Sequence, residues 1–149
     1  MPTINKEILI KAPVREIFNY VSKPNNLPQI WPSLIEVNNE QLLPNGRYNF
    51  RWEYKMTGVR LEGTGAYTGI TANQWFTVKT KGALDSTITW MFRSDDTIYT
   101  RVTLAVDYRV PLSALSWFSN FAVVKMNEQE ADLVLANLRT KFETKTQES

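Results

Sequence analysis

The sequence contains no cysteine and no histidine. The first absence excludes disulfides, thiolate nucleophiles and cysteine metal sites, and fits any redox compartment. The second removes Ser-His-Asp and Cys-His catalytic sets, histidine-ligated zinc or iron, and any imidazole base near neutral pH. Chemistry on this chain would have to run on Asp, Glu, Lys, Tyr, Ser, Thr or backbone groups, so catalysis is the less favoured expectation. No metal or covalent cofactor is implied. Excess charge is also scarce: 17 basic and 15 acidic residues leave a net charge of +2, spread along the chain instead of striped, which argues against nucleic acid. The opening "MPTINKEILIKAP" lacks the apolar core and cleavage site of a signal peptide, so a cytoplasmic location is the default expectation.

What the sequence has is aromatic alternation. In "YNFRWEYKM", Tyr48, Phe50, Trp52, Tyr54 and Met56 alternate with Asn49, Arg51, Glu53 and Lys55, the period of a strand with one dry face. Most such faces are aliphatic. This one is either a core or the wall of a pocket.

A chain of 149 residues is expected to form a single domain, 1–149, with the polar end 145–149 a flexible tail. Ile4, Ile8 and Ile10 share one parity and predict a first strand. Proline is tolerated at a helix start, so Ala12-Pro13 predicts a helix carrying Val14, Ile17, Phe18 and Val21 on one stripe and ending near Ser22. Pro24, Pro28 and Pro32 restrict the next stretch to a short helical turn or two. Turn signals then separate six strands at about 34–43, 47–56, 59–70, 74–82, 86–94 and 97–110, whose short connections favour a meander. From about Leu112 to Thr144 the pattern is helical. Trp117, Phe121, Val124, Glu128, Ala131, Leu135, Leu138 and Phe142 make one stripe, with a break expected near Ser119-Asn120.

This order, with "IKAPVREIFNYVSKPNNLPQIWPSLIEV" at 10–37, "GVRLEGTGAY" at 58–67 and "LVLANLRTKFE" at 133–143, resembles the SRPBCC or START-like helix-grip superfamily, which includes the birch-pollen-allergen fold. The likeness covers essentially the whole chain and is nearest to the polyketide cyclase/dehydrase-like branch. It implies an α+β fold: a curved seven-stranded antiparallel sheet wrapped around a long C-terminal helix, with two short helices between strands 1 and 2. It also implies a cavity for a hydrophobic or amphipathic small molecule. The motifs speak for the fold and say little of the ligand.

With apolar rows turned toward the helix, the inward set is Tyr48, Phe50, Trp52 and Tyr54; Val59, Leu61, Gly63, Gly65 and Tyr67; Phe76, Val78 and Thr80; Ile88, Trp90 and Phe92; and Ile98, Val102, Leu104, Val106 and Tyr108. Glycines on an inward parity mark a bend or room for something beside the aromatics, and a bulge near them would shift the parity. Polar-tipped rings want partners when buried, which favours a lined pocket over a solid core. Tyr48, Phe50, Trp52, Tyr54, Tyr67, Trp90, Tyr108, Phe121 and Glu128 are the candidate ligand-binding residues. Glu128, on the helical stripe, is either at its edge and hydrated or the polar anchor of the pocket, and in the second case a candidate general acid or base.

"PLSALSWFSNF" at 111–121 is apolar but far short of the roughly 20 residues of a bilayer span, so no stable membrane insertion is expected. Leu115 and Phe118 there are candidate lid residues or simple packing, and Trp31 beside Pro32 is a gate or a structural plug. The expected function is binding, transport or sequestration of a hydrophobic or amphipathic molecule. The alternatives are a cyclase or dehydratase using Glu128, and a chaperone-activator-like module with a protein partner.

Overall fold

The computed structural model describes residues 3–42, 44, 48–56, 59–82, 85–109 and 120–148, with side chains described for these except 39, 40, 42, 56, 59, 120–127 and 144–148. Strand β1 (Thr3–Ile10) leads into helix α1 (Val14–Val21) and a 3₁₀ helix (Pro24–Gln29). The strands β2 (Leu34–Leu42), β3 (Tyr48–Met56), β4 (Val59–Thr71), β5 (Trp75–Gly82), β6 (Asp85–Ser94) and β7 (Thr100–Arg109) follow, and helix α2 (Asn120–Glu148) ends the chain. The seven strands form one antiparallel sheet in the order β1-β7-β6-β5-β4-β3-β2. Six of them are the expected meander. The remaining pairing, β1 on β7, joins residues such as Ile8 and Val102 that lie far apart in the chain.

The helix-grip architecture follows from where the apolar parity points. Phe50, Trp52, Tyr54, Leu61, Tyr67, Phe76, Val78, Trp90, Phe92, Val102, Leu104, Val106 and Tyr108 are buried on the concave face, and Ala131, Val134, Leu135, Leu138 and Phe142 of α2 are buried against them. On α1, Ile17, Phe18 and Val21 are the buried stripe. Two buried hydroxyls pin that helix to the sheet: Thr100 Oγ1 donates to the Ala12 carbonyl at 2.8 Å, and the Tyr67 hydroxyl donates to the Ser22 carbonyl at 2.7 Å. Each satisfies a backbone acceptor at one end of α1 that would otherwise be stranded away from water.

Two expectations are corrected. Ile98 is 50% exposed instead of inward, because Asp96 Oδ1 accepts from the Ile98 and Tyr99 amides and holds them in a turn, so β7 starts at Thr100. The register shift in β4 falls between Tyr67 and Gly69, past the glycine pair, and leaves the inward parity of Gly63 and Gly65 unchanged. Helix α2 runs from Asn120 to Glu148. The expected start of the C-terminal helix at Leu112 and its break near Ser119 lie outside the described residues.

Candidate functional site

Strand β3 carries the aromatic row, and what stands opposite it on β4 decides how the rings lie. Trp52 pairs with Gly63 and Phe50 with Gly65. A Cβ on Gly63 would overlap the Trp52 ring and the Lys81 carbonyl, and one on Gly65 would overlap the Phe50 ring. The two rings therefore lie across the bare backbone of β4, and the Trp52 indole donates to the Thr64 carbonyl at 3.0 Å. Rings laid down in this way leave the interior beyond them unfilled. A cavity of about 120 Å³ remains between β3, β5, β6, β7 and α2, walled by Phe50, Trp52, Tyr54, Trp90, Ile88, Val106 and Tyr108 and bounded by Trp31, Leu34, Ala131 and Glu130.

The polar end of this cavity is built from three elements. Ser33, just before β2, donates its amide to Glu130 Oε1 at 2.8 Å, and the Tyr54 hydroxyl reaches the same oxygen at 3.4 Å. Burial, then the charge of Glu130, push the Tyr54 hydroxyl above its ordinary ionisation range, so it remains a protonated donor at neutral pH. Side-chain donors on Ser33 and Trp31 oppose that rise. Trp31 Nε1 is buried and stands near the Tyr54 hydroxyl without a well-formed hydrogen bond to any described residue, which leaves an indole N–H poorly satisfied at the cavity wall. The Thr80 and Ser86 hydroxyls, also in the lining, bond each other.

Contacts along one flank of α2 hold Glu130 in place. Asn137 Nδ2 donates to the Ile30 carbonyl at 3.0 Å, Lys141 Nζ stands 4.7 Å above the Tyr20 ring, and the Tyr20 hydroxyl donates to Gln29 at 2.9 Å. These fasten the helix to the 3₁₀ segment that also presents Trp31.

The sequence profile of the family described as "Polyketide cyclase / dehydrase and lipid transport" matches residues 1–143. The chain belongs to this family. Solved structures agree on the fold. A START superfamily protein from Mycobacterium smegmatis superposes with a TM-score of 0.81 at 15% identity, covering 95% of this chain and 97% of that one. The Zhui aromatase/cyclase from Streptomyces sp. R1128 gives 0.80 at 12%, covering 97% and 94%. A protein from Thermus thermophilus gives 0.75 at 18%, covering 96% and 98%. No curated protein matches the sequence.

Within this cyclase/dehydrase and lipid-transport fold, the structure brings Phe50, Trp52, Tyr54, Trp90, Tyr108 and Trp31 together around one cavity. Two other candidates stand away from it. Tyr67 is buried, its ring stacked on Phe76 at 5.3 Å, and Tyr48 is half-buried with its ring edge-on to Tyr67 at 5.6 Å. Glu128 is exposed, and the carboxylate at the cavity is Glu130. At about 100° per residue, both lie roughly 80° from Leu138 on opposite flanks of α2. Glu128 shares the flank of Asp132, which pairs with Lys6 on β1, whereas Glu130 shares the flank docked on the 3₁₀ segment. The helical stripe cannot choose between flanks. The side chains of Phe121, Leu115 and Phe118 lie outside the described residues.

Proposed function

We propose that the protein binds a hydrophobic or amphipathic small molecule in the cavity between the sheet and α2, with Glu130, Tyr54 and Trp31 orienting its polar group. The observation that carries this reading is the aromatic-walled hollow of about 120 Å³ with a carboxylate at one end and, beside it, a buried indole N–H that closes no well-formed hydrogen bond to a described residue. Apolar burial against the rings would supply most of the affinity, and the few polar groups the orientation. Membership of a family described by both cyclase and lipid-transport roles supports a small-molecule site. The reading carries with it a cytoplasmic location. Among the described residues no helix is long and apolar enough to cross a membrane.

Native mass spectrometry of freshly purified protein, with an organic extract of the same sample, tests it. The expected result is an adduct that leaves on extraction. A bare protein mass, together with no binding in a screen of small hydrophobic compounds, would overturn it and favour a protein partner.

A second reading, a cyclase or dehydratase, is favoured by one observation: the Glu130 carboxylate stands beside a tyrosine kept protonated. Glu130 would take a proton from carbon while Tyr54 hydrogen-bonds the developing oxyanion. Glu130→Gln separates the two readings. Lost turnover with retained binding supports the enzyme, and weakened binding alone supports the carrier.

A further inference from the structure

Three features of the hollow end restrict its occupant more narrowly than "hydrophobic". The first is size. A hollow of about 120 Å³ is close to the roughly 150 Å³ of an engineered cavity that takes up a single benzene ring, which is room for one ring against its walls. The second is shape: Phe50, Trp52, Tyr54 and Trp90 wall it, and flat rings prefer to pack on flat rings. The third is the polarity of the end near α2, where the buried Trp31 indole N–H points toward Tyr54 without closing a well-formed hydrogen bond to any described residue, and Glu130 offers Oε2, which bonds to none of them.

We infer that the ligand is a single-ring phenol whose hydroxyl oxygen accepts from Trp31 Nε1 and whose proton is donated to the Glu130 carboxylate. This rests on the small-molecule reading above and names its ligand class. A hydroxyl is the smallest neutral group that both accepts and donates. An ammonium has donors only and would leave the indole unsatisfied, whereas a carboxylate would face Glu130 with like charge. A phenolic proton is more acidic than an aliphatic one and forms the stronger charge-assisted bond to a carboxylate. At the far side, the Thr80 and Ser86 hydroxyls share a hydrogen bond with each other.

The test is a titration of the intact chain with phenol, toluene, benzoate and 2-naphthol, followed by calorimetry and by the indole N–H resonance of Trp31 in a proton–nitrogen correlation spectrum. Phenol is expected to bind one-to-one, about tenfold or more tighter than the other three, and to move the Trp31 indole proton downfield. Glu130→Gln and Trp31→Phe should each bring phenol toward the affinity of toluene while leaving toluene itself little changed. Equal binding of phenol and toluene, or 2-naphthol binding as tightly as phenol, overturns the inference. The panel on the unaltered protein decides this even if a variant does not fold. If none of the four binds but native mass spectrometry finds a larger adduct, the phenol assignment fails and the binding reading stands. If neither is found, both fail.

Discussion

Beneath α1 the interior is solid, and beside Glu130 it is hollow, although aromatic residues dominate both. In the solid part Phe76 is fully buried, stacks on Tyr67 at 5.3 Å and on Trp90 at 6.3 Å, and receives the edge of Phe18 at 5.9 Å. In the hollow part Trp52 and Phe50 face Gly63 and Gly65 across the β3–β4 ladder. Large residues on the same sheet fill space or spare it according to their cross-strand partner: Phe76 stands opposite Ile70 and Trp90, and Trp52 opposite bare backbone on β4. Trp90 belongs to both parts, stacking on Phe76 and Phe92 while lining the cavity.

The strongest way to break this contrast is to empty the solid part. Phe76→Ala should cost about 3–5 kcal/mol in a denaturant melt, and a second hollow beneath α1 should then accept a ring-sized probe. The next is to fill the hollow part from behind. Gly65→Ala would force the Phe50 ring off β4 and is expected to cost about 1–3 kcal/mol through overpacking. It should also weaken any ligand of the cavity, as calorimetry on the folded variant would detect.

A smaller effect tests the pin that keeps the solid part closed. Thr100→Val keeps the shape but leaves the Ala12 carbonyl without its buried donor. A loss of about 1–2 kcal/mol is expected, with faster hydrogen exchange in α1 than in β7. The smallest effect at neutral pH is Tyr54→Phe, about 0.5 kcal/mol for one long hydrogen bond. Its signature is in alkali. Unfolded tyrosine ionises near 10.0 and the folded Tyr54 hydroxyl ionises higher, so above that pH the unfolded chain sheds its proton first and the native state loses stability. The stabilisation is whole below pH 10.0 and fades above it. Tyr54→Phe should flatten that decline in melts between about pH 9 and 11. Tyr20, shifted in the same direction by burial, should leave a residual slope.

Period-two alternation in β3 through β7 made the strands and their inward parity legible, because a strand that buries one face must repeat every second residue. Membership of the sheet was legible in the same way for β1, but its seat beside β7 was not, since no local signal joins residues so far apart. The candidate cavity was partly legible. Phe50, Trp52, Tyr54, Trp90 and Tyr108 reach the cavity as their parity required, whereas Tyr67 and Tyr48 share that parity and sit farther along the sheet, against the solid part. Parity gives the face of a sheet and not the position along it. Glu130 went unrecognised because the helical stripe has two flanks, and only the contacts with Ser33, Ile30 and Gln29 select one. Ile98 was misplaced because an Asx-type turn at Asp96 delays the strand to Thr100, although an Asp two and three residues before two amides is the sequence pattern of such a turn.

The glycine pair on β4 also bears on how a change of ligand could arise. Neither Gly63 nor Gly65 lines the cavity, yet the room inside depends on their lack of a side chain. A selection for new ligands that varied only the residues facing the hollow would pass over the two positions that set its capacity. One methyl group at either, on the far side of an aromatic ring, redraws the size limit without altering any chemical group that the ligand touches.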